Sequence, residues 1–311
     1  MIYIPVISIA IQSWKFASDA FIEDGQKYLR KQRWKSLFYV LVNPAFASKW
    51  YKTLSSSENL SIIQRFPKVY LKPFRSYLSI QWEKGQRAKV VLDTYRFINK
   101  IGLTEFFSFG IKTEIAQIET INGFVFTLFL EHDYRFRKEG ELTFSLEYGS
   151  LGERIVSAAF SFEEIKEGSW ACRIGCVQGH NKSDEYISKI AQKFLHGLRP
   201  KSLIIYSIQE FTRNLMITEI YGAGDSIQAY RGKHLIHLHR KHSIEFDYNK
   251  FWSESGGEPT NDGWYKLPFV PLRKNDCDIK SAKRAMYHRR YSMLDELSLK
   301  IEKFIANFKI F

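Results

Sequence analysis

The sequence predicts an α+β protein, a mainly antiparallel sheet with covering helices, preceded by a basic helical region. Three observations carry that expectation. Apolar residues recur at helical spacing through much of the first 100 residues. After about residue 120 the pattern changes to short alternating or wholly apolar runs separated by glycine-rich breaks. Two further helical repeats then stand between the fourth such run and a fifth. Residues 1–100 are therefore expected to form the helical region, and residues 101–311 an α+β core closed by a C-terminal helix. A chain of 311 residues that is 45% apolar can bury a substantial core, and 16% aromatic residues exclude a disordered one.

Taken in order, the opening MIYIPVISIAIQSW is apolar for about a dozen residues, too short to span a bilayer. It lacks the basic leader of a secretory signal, so a buried or interfacial segment is expected. A helical stretch should follow over residues 18–42, then a polar break at Ser55 to Asn59. FPKVYLKPFRSYL reads either as a membrane-surface or nucleic-acid patch or as a packed helix whose lysines reach outward, the second being the simpler account. Val90, Val91, Tyr95 and Ile98 give the helical face of the run from Gly85 to Ile101.

FVFTLFLEHDYRFR, ELTFSLEYGS, RIVSAAFSFEE and WACRIGCVQG are expected as four strands of an antiparallel meander. Helices follow at Asp184 to His196 and from Pro200, with Gly197 able to cap the first and Pro200 suited to open the second. ITEIYGAG returns as a strand. Cys172, Cys176 and Cys277 are expected as free thiols. At the C-terminus Ile279, Met286, Met293, Leu294, Leu297, Ile301, Phe304, Ile305 and Phe308 line one helical stripe, and Arg290 falls within it. A guanidinium on a core face needs an anionic or strongly accepting partner, so Arg290 is either a structural clamp or part of a site.

The net charge of +13 is uneven: +11 over residues 1–100, −6 over 101–170 and +8 over 171–311. Such ends favour an anionic partner, meaning nucleic acid, acidic lipid headgroups or a phosphorylated ligand, without choosing among them; an anionic ligand or a membrane surface is the expected partner, with nucleic acid less so. The loop Gln178-Gly179-His180-Asn181-Lys182-Ser183 joins a strand to a helix, a geometry that can hold a phosphate, although Asp184 and Glu185 would repel an anion there. HLIHLHRKH places four histidines within nine residues, but no Cys or second motif completes a metal set and Arg240 and Lys241 would repel a cation; no metal site is assigned. Asp247 or Glu254 in DYNKFWSESGGEP could act as a general base; equally, Asp247 could begin a short helix that Gly256 and Gly257 end. Arg289 and Arg290 belong to the strongest basic run.

GCVQGHN, HGLRPKSL, DYNKFWSESGG followed by WYKLPF, and KRAMYHRRYSMLDEL come in the order found in the VirK/YbjX family of Gram-negative bacteria, which the chain resembles over most of residues 65–298. The family's pattern has a His-Tyr pair in the long early helix where this chain has Thr94-Tyr95. The resemblance implies a cytoplasmic protein, peripheral at the inner membrane if its basic ends meet lipid, linked to virulence, envelope or lipid A remodelling and resistance to cationic antimicrobial peptides. It supplies no reaction. It directs attention to Gln178, Gly179, Gly197, Arg199, Pro200, Lys201, Asp247, Tyr248, Trp252, Gly256, Gly257, Arg284, Arg289, Arg290 and Tyr291.

The strand, polar loop and helix also loosely resemble the Gcn5-related N-acyltransferase layout, with two helices where that fold has one. On that reading the chain is an acyltransferase-like protein using acyl-coenzyme A. Gln178, Gly179, Asn181, Lys182, Arg289 and Arg290 would then meet the cofactor, and Asp247, Glu254 or His180 would be the acid/base group. The other reading is a non-catalytic regulator or adaptor that binds anionic lipid, nucleic acid or a partner protein. There Arg290 would pair with a buried carboxylate such as Glu147 or Asp247.

Overall fold

A computed structural model describes residues 3–107, 110–120, 123–149, 152–179, 185–231 and 246–308. The helical region comprises α1 (Tyr3–Phe21), α2 (Gln26–Val42), α3 (Pro44–Leu54), α4 (Leu60–Arg65) and α5 (Lys84–Lys100). The single helix expected over residues 18–42 is instead two. Gly25 sits at φ +86°, a conformation most L-residues avoid, and there the chain reverses into an α1–α2 hairpin. The FPKVYLKPF stretch forms a 3-10 turn, Pro67–Phe74, that is buried almost throughout. Lys72 does not reach outward as expected but points into the core.

The sheet among the described residues is β1 (Lys112–Glu119), β2 (Val125–Glu131), β3 (Leu142–Tyr148), β4 (Glu153–Lys166), β5 (Ser169–Gly179), β6 (Glu219–Ala223), β7 (Glu258–Pro259) and β8 (Trp264–Leu267), in the order β1-β2-β3-β4-β5-β6-β8-β7. All neighbours are antiparallel except β5 and β6. The first expected strand ends sooner than its apolar pattern suggested. It stops at Glu131, because Asp133 caps the 3-10 turn Tyr134–Phe136 by accepting from Arg135 N–H at 2.9 Å.

The two sheet faces differ in chemistry. Strand residues two apart share a face, so Phe160 and Phe162 of β4 lie together, under α7 (Pro200–Asn214) through Phe211 and under α5 through Phe97. The opposite face carries Thr143, Ser145 and Glu147 of β3 and Ser157, Ala159 and Ser161 of β4, all buried. α6 (Glu185–Phe194) precedes α7; α8 (Tyr248–Glu254) packs against β8; α9 (Ser281–Ile305) packs on α7 and β1 and buries Leu294, Leu297, Ile301 and Ile305. Cys172, Cys176 and Cys277 are all free thiols, the first two buried.

Candidate acid–base site

The loop from β2 to β3 carries Glu139-Gly140-Glu141, and both glutamates are buried. The tight path has a steric cause. A Cβ on Gly140 would stand 2.4 Å from Phe160 N, and one on Gly175 of β5 would stand 2.0 Å from Glu139 O. Glycine at both positions lets the loop cross the sheet in backbone contact. Gly175 is also the extra residue of a β-bulge, since Ala159 pairs with Cys176 and Phe160 with Ile174.

The environments of the two carboxyls drive them apart. Glu141 lies 2.8 Å from Lys72 Nζ, an ion pair rather than an aligned hydrogen bond, and accepts from Tyr95 Oη at 2.6 Å. His132 Nε2 is 3.7 Å away, and Glu141 N–H donates to Ser161 Oγ, which contacts Tyr77 Oη at 2.7 Å. Burial alone would raise Glu141, but the charges of Lys72 and His132 hold it at about 2. Glu139 is the reverse. Neither of its oxygens has a hydrogen-bond partner, and burial raises it to about 7 against the pull of Lys138, Arg137 and Lys72.

Glu139 faces the polar side of the sheet at the bulge. Its charge reaches Cys176, Tyr230 and Tyr248. Thr143 and Cys176 both pair with Ala159, and Thr143 Oγ1 also lacks a partner. A buried carboxyl that titrates near neutrality can take up and return a proton. On the other side, Tyr95, His132 and Lys72 reach a cavity of about 370 Å³ between α1 and the Pro67–Phe74 turn, walled by Ile22, Phe66 and Tyr134.

β5 pairs with β6 from Ala171 to Ile174 and then parts from it. Beyond the last pair, Val177 N–H and C=O are met by Tyr248 Oη at 3.3 and 3.1 Å. Trp252 Nε1 donates to Ala223 O at 2.9 Å while its ring covers Gly222. α8 is thus a wedge where the parallel strands diverge. At the far end of β5, Lys201 Cε lies 3.8 Å from the Cβ position of Gly179, and Lys201 Nζ stands 3.3 Å from the Phe246 ring centroid. Burial lowers this lysine to about 8.

The residues proposed from sequence are spread over several places. Gln178 and Gly179 end β5, half-buried and exposed; His180, Asn181 and Lys182 lie outside the described residues, as does the histidine run within 232–245. Asp247 caps α8 by accepting from Lys250 N–H at 2.8 Å, and Glu254, at its other end, pairs with Arg199 at 2.9 Å. Arg289 is exposed. Arg290 pairs with neither Glu147 nor Asp247. Its Nε and Nη2 donate to His196 O at 3.0 and 2.8 Å, and it stacks on Tyr287. His196 and Gly197 both have positive φ at the end of α6, where carbonyls lack helical partners and favour a cation. Glu147 meets Arg154 and Lys112 instead. Glu139, Lys72, His132 and Glu141 were missed because each stands within or beside an apolar run that reads as strand or packed helix.

The family described as "Protein of unknown function (DUF535)" matches residues 25–303. YbjX of Escherichia coli K12, an uncharacterised protein, is 30% identical over 273 residues, 86% of this chain and 82% of that one. The chain belongs to the VirK/YbjX family. Within it, an uncharacterised Haemophilus influenzae protein is 32% identical over 49% of this chain and 48% of its own length. Among solved structures, a cAMP-binding acyltransferase from Mycobacterium smegmatis covers 70% of this VirK/YbjX chain and 60% of its own at 10% identity, with a TM-score of 0.31, too slight a likeness to carry an argument.

Proposed function

We propose that this member of the VirK/YbjX family is an acyltransferase-like enzyme that uses an acyl-coenzyme A. One observation carries the reading: Glu139 is fully buried, has no hydrogen-bond partner and is raised to about 7 beside the bulge of β5. A general base works best with a pKa near the working pH. In the transfer, the Glu139-Gly140-Glu141 loop would move to admit the acceptor, and Glu139 would take the proton of its hydroxyl or amine as it attacks the thioester carbonyl. The new acyl bond forms, the C–S bond breaks, and the thiolate leaves with the proton that Glu139 returns. Support comes also from the layout, a parallel β5–β6 pair that separates in an otherwise antiparallel sheet. Lys201, beside Gly179, and Gln178 would meet the phosphates. Given the virulence and envelope links that the family resemblance implies, an envelope component such as lipid A is the proposed acceptor.

The test combines binding and turnover. Coenzyme A, acetyl-coenzyme A and a long-chain acyl-coenzyme A should raise the thermal midpoint of the wild type. Thiol release should follow an apparent pKa near 7, and Glu139→Gln should lower it by about a hundredfold or more while keeping the midpoint shift. No midpoint shift with any of the three, or thiol release unchanged in Glu139→Gln, would refute the proposal.

A further inference from the structure

Among the described residues, the α1–α2 hairpin leaves one face uncovered. Trp14 and Trp34 meet edge to face at 5.7 Å across the hairpin; Ile7 and Ile11 lie on the arc of Trp14, and Phe38 and Leu41 on that of Trp34. All six side chains are exposed, Trp34 at 64%, Ile11 at 66% and Leu41 at 57%. On α2, Trp34, Phe38 and Leu41 follow i, i+4, i+7 spacing, and Lys27, Arg30 and Lys31 continue the same arc toward the helix start. The face is therefore apolar in one half and cationic in the other. No helix among the described residues is long and apolar enough to cross a membrane.

We propose that this hairpin face docks on an anionic lipid bilayer, lying in the interface with Trp34, Phe38 and Leu41 toward the acyl chains and Lys27, Arg30 and Lys31 among the headgroups. Charge complementarity selects the occupant. The charges acting most on Lys35, which adjoins this face, are Arg75, Lys31, Lys138 and Arg137, all cations. That field seeks a partner with a high density of negative charge. A second copy of the chain would bring the same +11 excess of residues 1–100 against it. Nucleic acid would satisfy the cations but would leave Leu41 and Ile11 in water. A lipid surface meets both halves at once.

Flotation of the full-length protein with phosphatidylcholine vesicles, with and without phosphatidylglycerol, tests this. Binding is expected with phosphatidylglycerol alone and should fall steeply between about 0.05 and 0.3 M salt. Replacing Lys27, Arg30 and Lys31 by Ser should weaken binding on the order of a hundredfold. Replacing Trp34, Phe38 and Leu41 by Ser should abolish it while lowering the thermal midpoint by only a few degrees, because the three are largely exposed and the Trp14–Trp34 contact is the main one lost. Absent binding, equal binding to neutral vesicles, or either variant binding like the wild type would overturn the proposal. So would variants that alter only self-association, since the occupant would then be a second copy.

Discussion

At the scale of single residues, Glu139 and Glu141 set opposing pH dependences. Glu139 titrates near 7 in the fold against an ordinary 4.5, so the folded state holds its proton more tightly. Stability from this group is greatest at low pH and falls as pH rises from about 4.5 to 7, by up to about 3 kcal/mol. Glu141, held at about 2, contributes stability above 4.5 that is lost as pH falls toward 2. The pair therefore favours a stability maximum near pH 4.5 to 5. Urea unfolding from pH 4 to 8 should show Glu139→Gln flattening the decline on the alkaline side; an unchanged slope would mean that Glu139 is not held protonated. Arg290 is a second case legible in part. The helical stripe exposed its need for a partner, but no spacing rule points to a main-chain carbonyl 94 residues away. Arg290→Ala should cost about 1.5 to 3 kcal/mol. Arg290→Lys should recover little of it, because an ammonium lacks the planar fork that donates twice to His196 O while stacking on Tyr287.

Among the elements, legibility followed the strength of local pattern. α5, α6, α7 and α9 have amphipathic spacing or clear punctuation, and the structure has each of them. β1 was not legible: KTEIAQIE alternates, but with Lys, Glu and Gln, and it gains strand structure from pairing with β2 and packing under α9. β8 is four residues long and owes its place to β6 and to α8. The wedge of α8 was legible only as a short capped helix; that Tyr248 would bridge Val177 depended on where β5 and β6 part. This contact offers a steric test. A Cβ on Gly222 would stand 2.4 Å from the Trp252 ring, so Gly222→Ala should cost about 1 to 3 kcal/mol. Gly85→Ala in the first turn of α5 meets nothing within 4 Å and should be neutral or stabilising by up to about 1 kcal/mol. Equal thermal midpoints for the two variants would mean that Trp252 does not hold the strand divergence in place.

For the whole molecule, the charge asymmetry read from sequence is also a division between inside and outside. The acidic middle supplies Glu131, Asp133, Glu139, Glu141 and Glu147 to the polar side of the sheet. There Arg154 serves three carboxylates, at 2.7 Å from Glu131, 2.7 Å from Asp133 and 3.4 Å from Glu147, with little solvent access. The cations of the helical region stay largely at the surface, so the exterior is more basic than the net charge conveys. These two populations should respond differently to salt, because screening acts on exposed charges and hardly on buried ones. Raising salt from about 20 to 300 mM should raise the wild-type thermal midpoint by screening self-repulsion. Arg154→Ala should lose about 3 to 5 kcal/mol, since buried Glu131 loses its cation while Asp133 keeps Arg135 and Glu147 keeps Lys112. Added salt should not restore that loss. Recovery by salt alone would place the Arg154 cluster at the surface and undo the division.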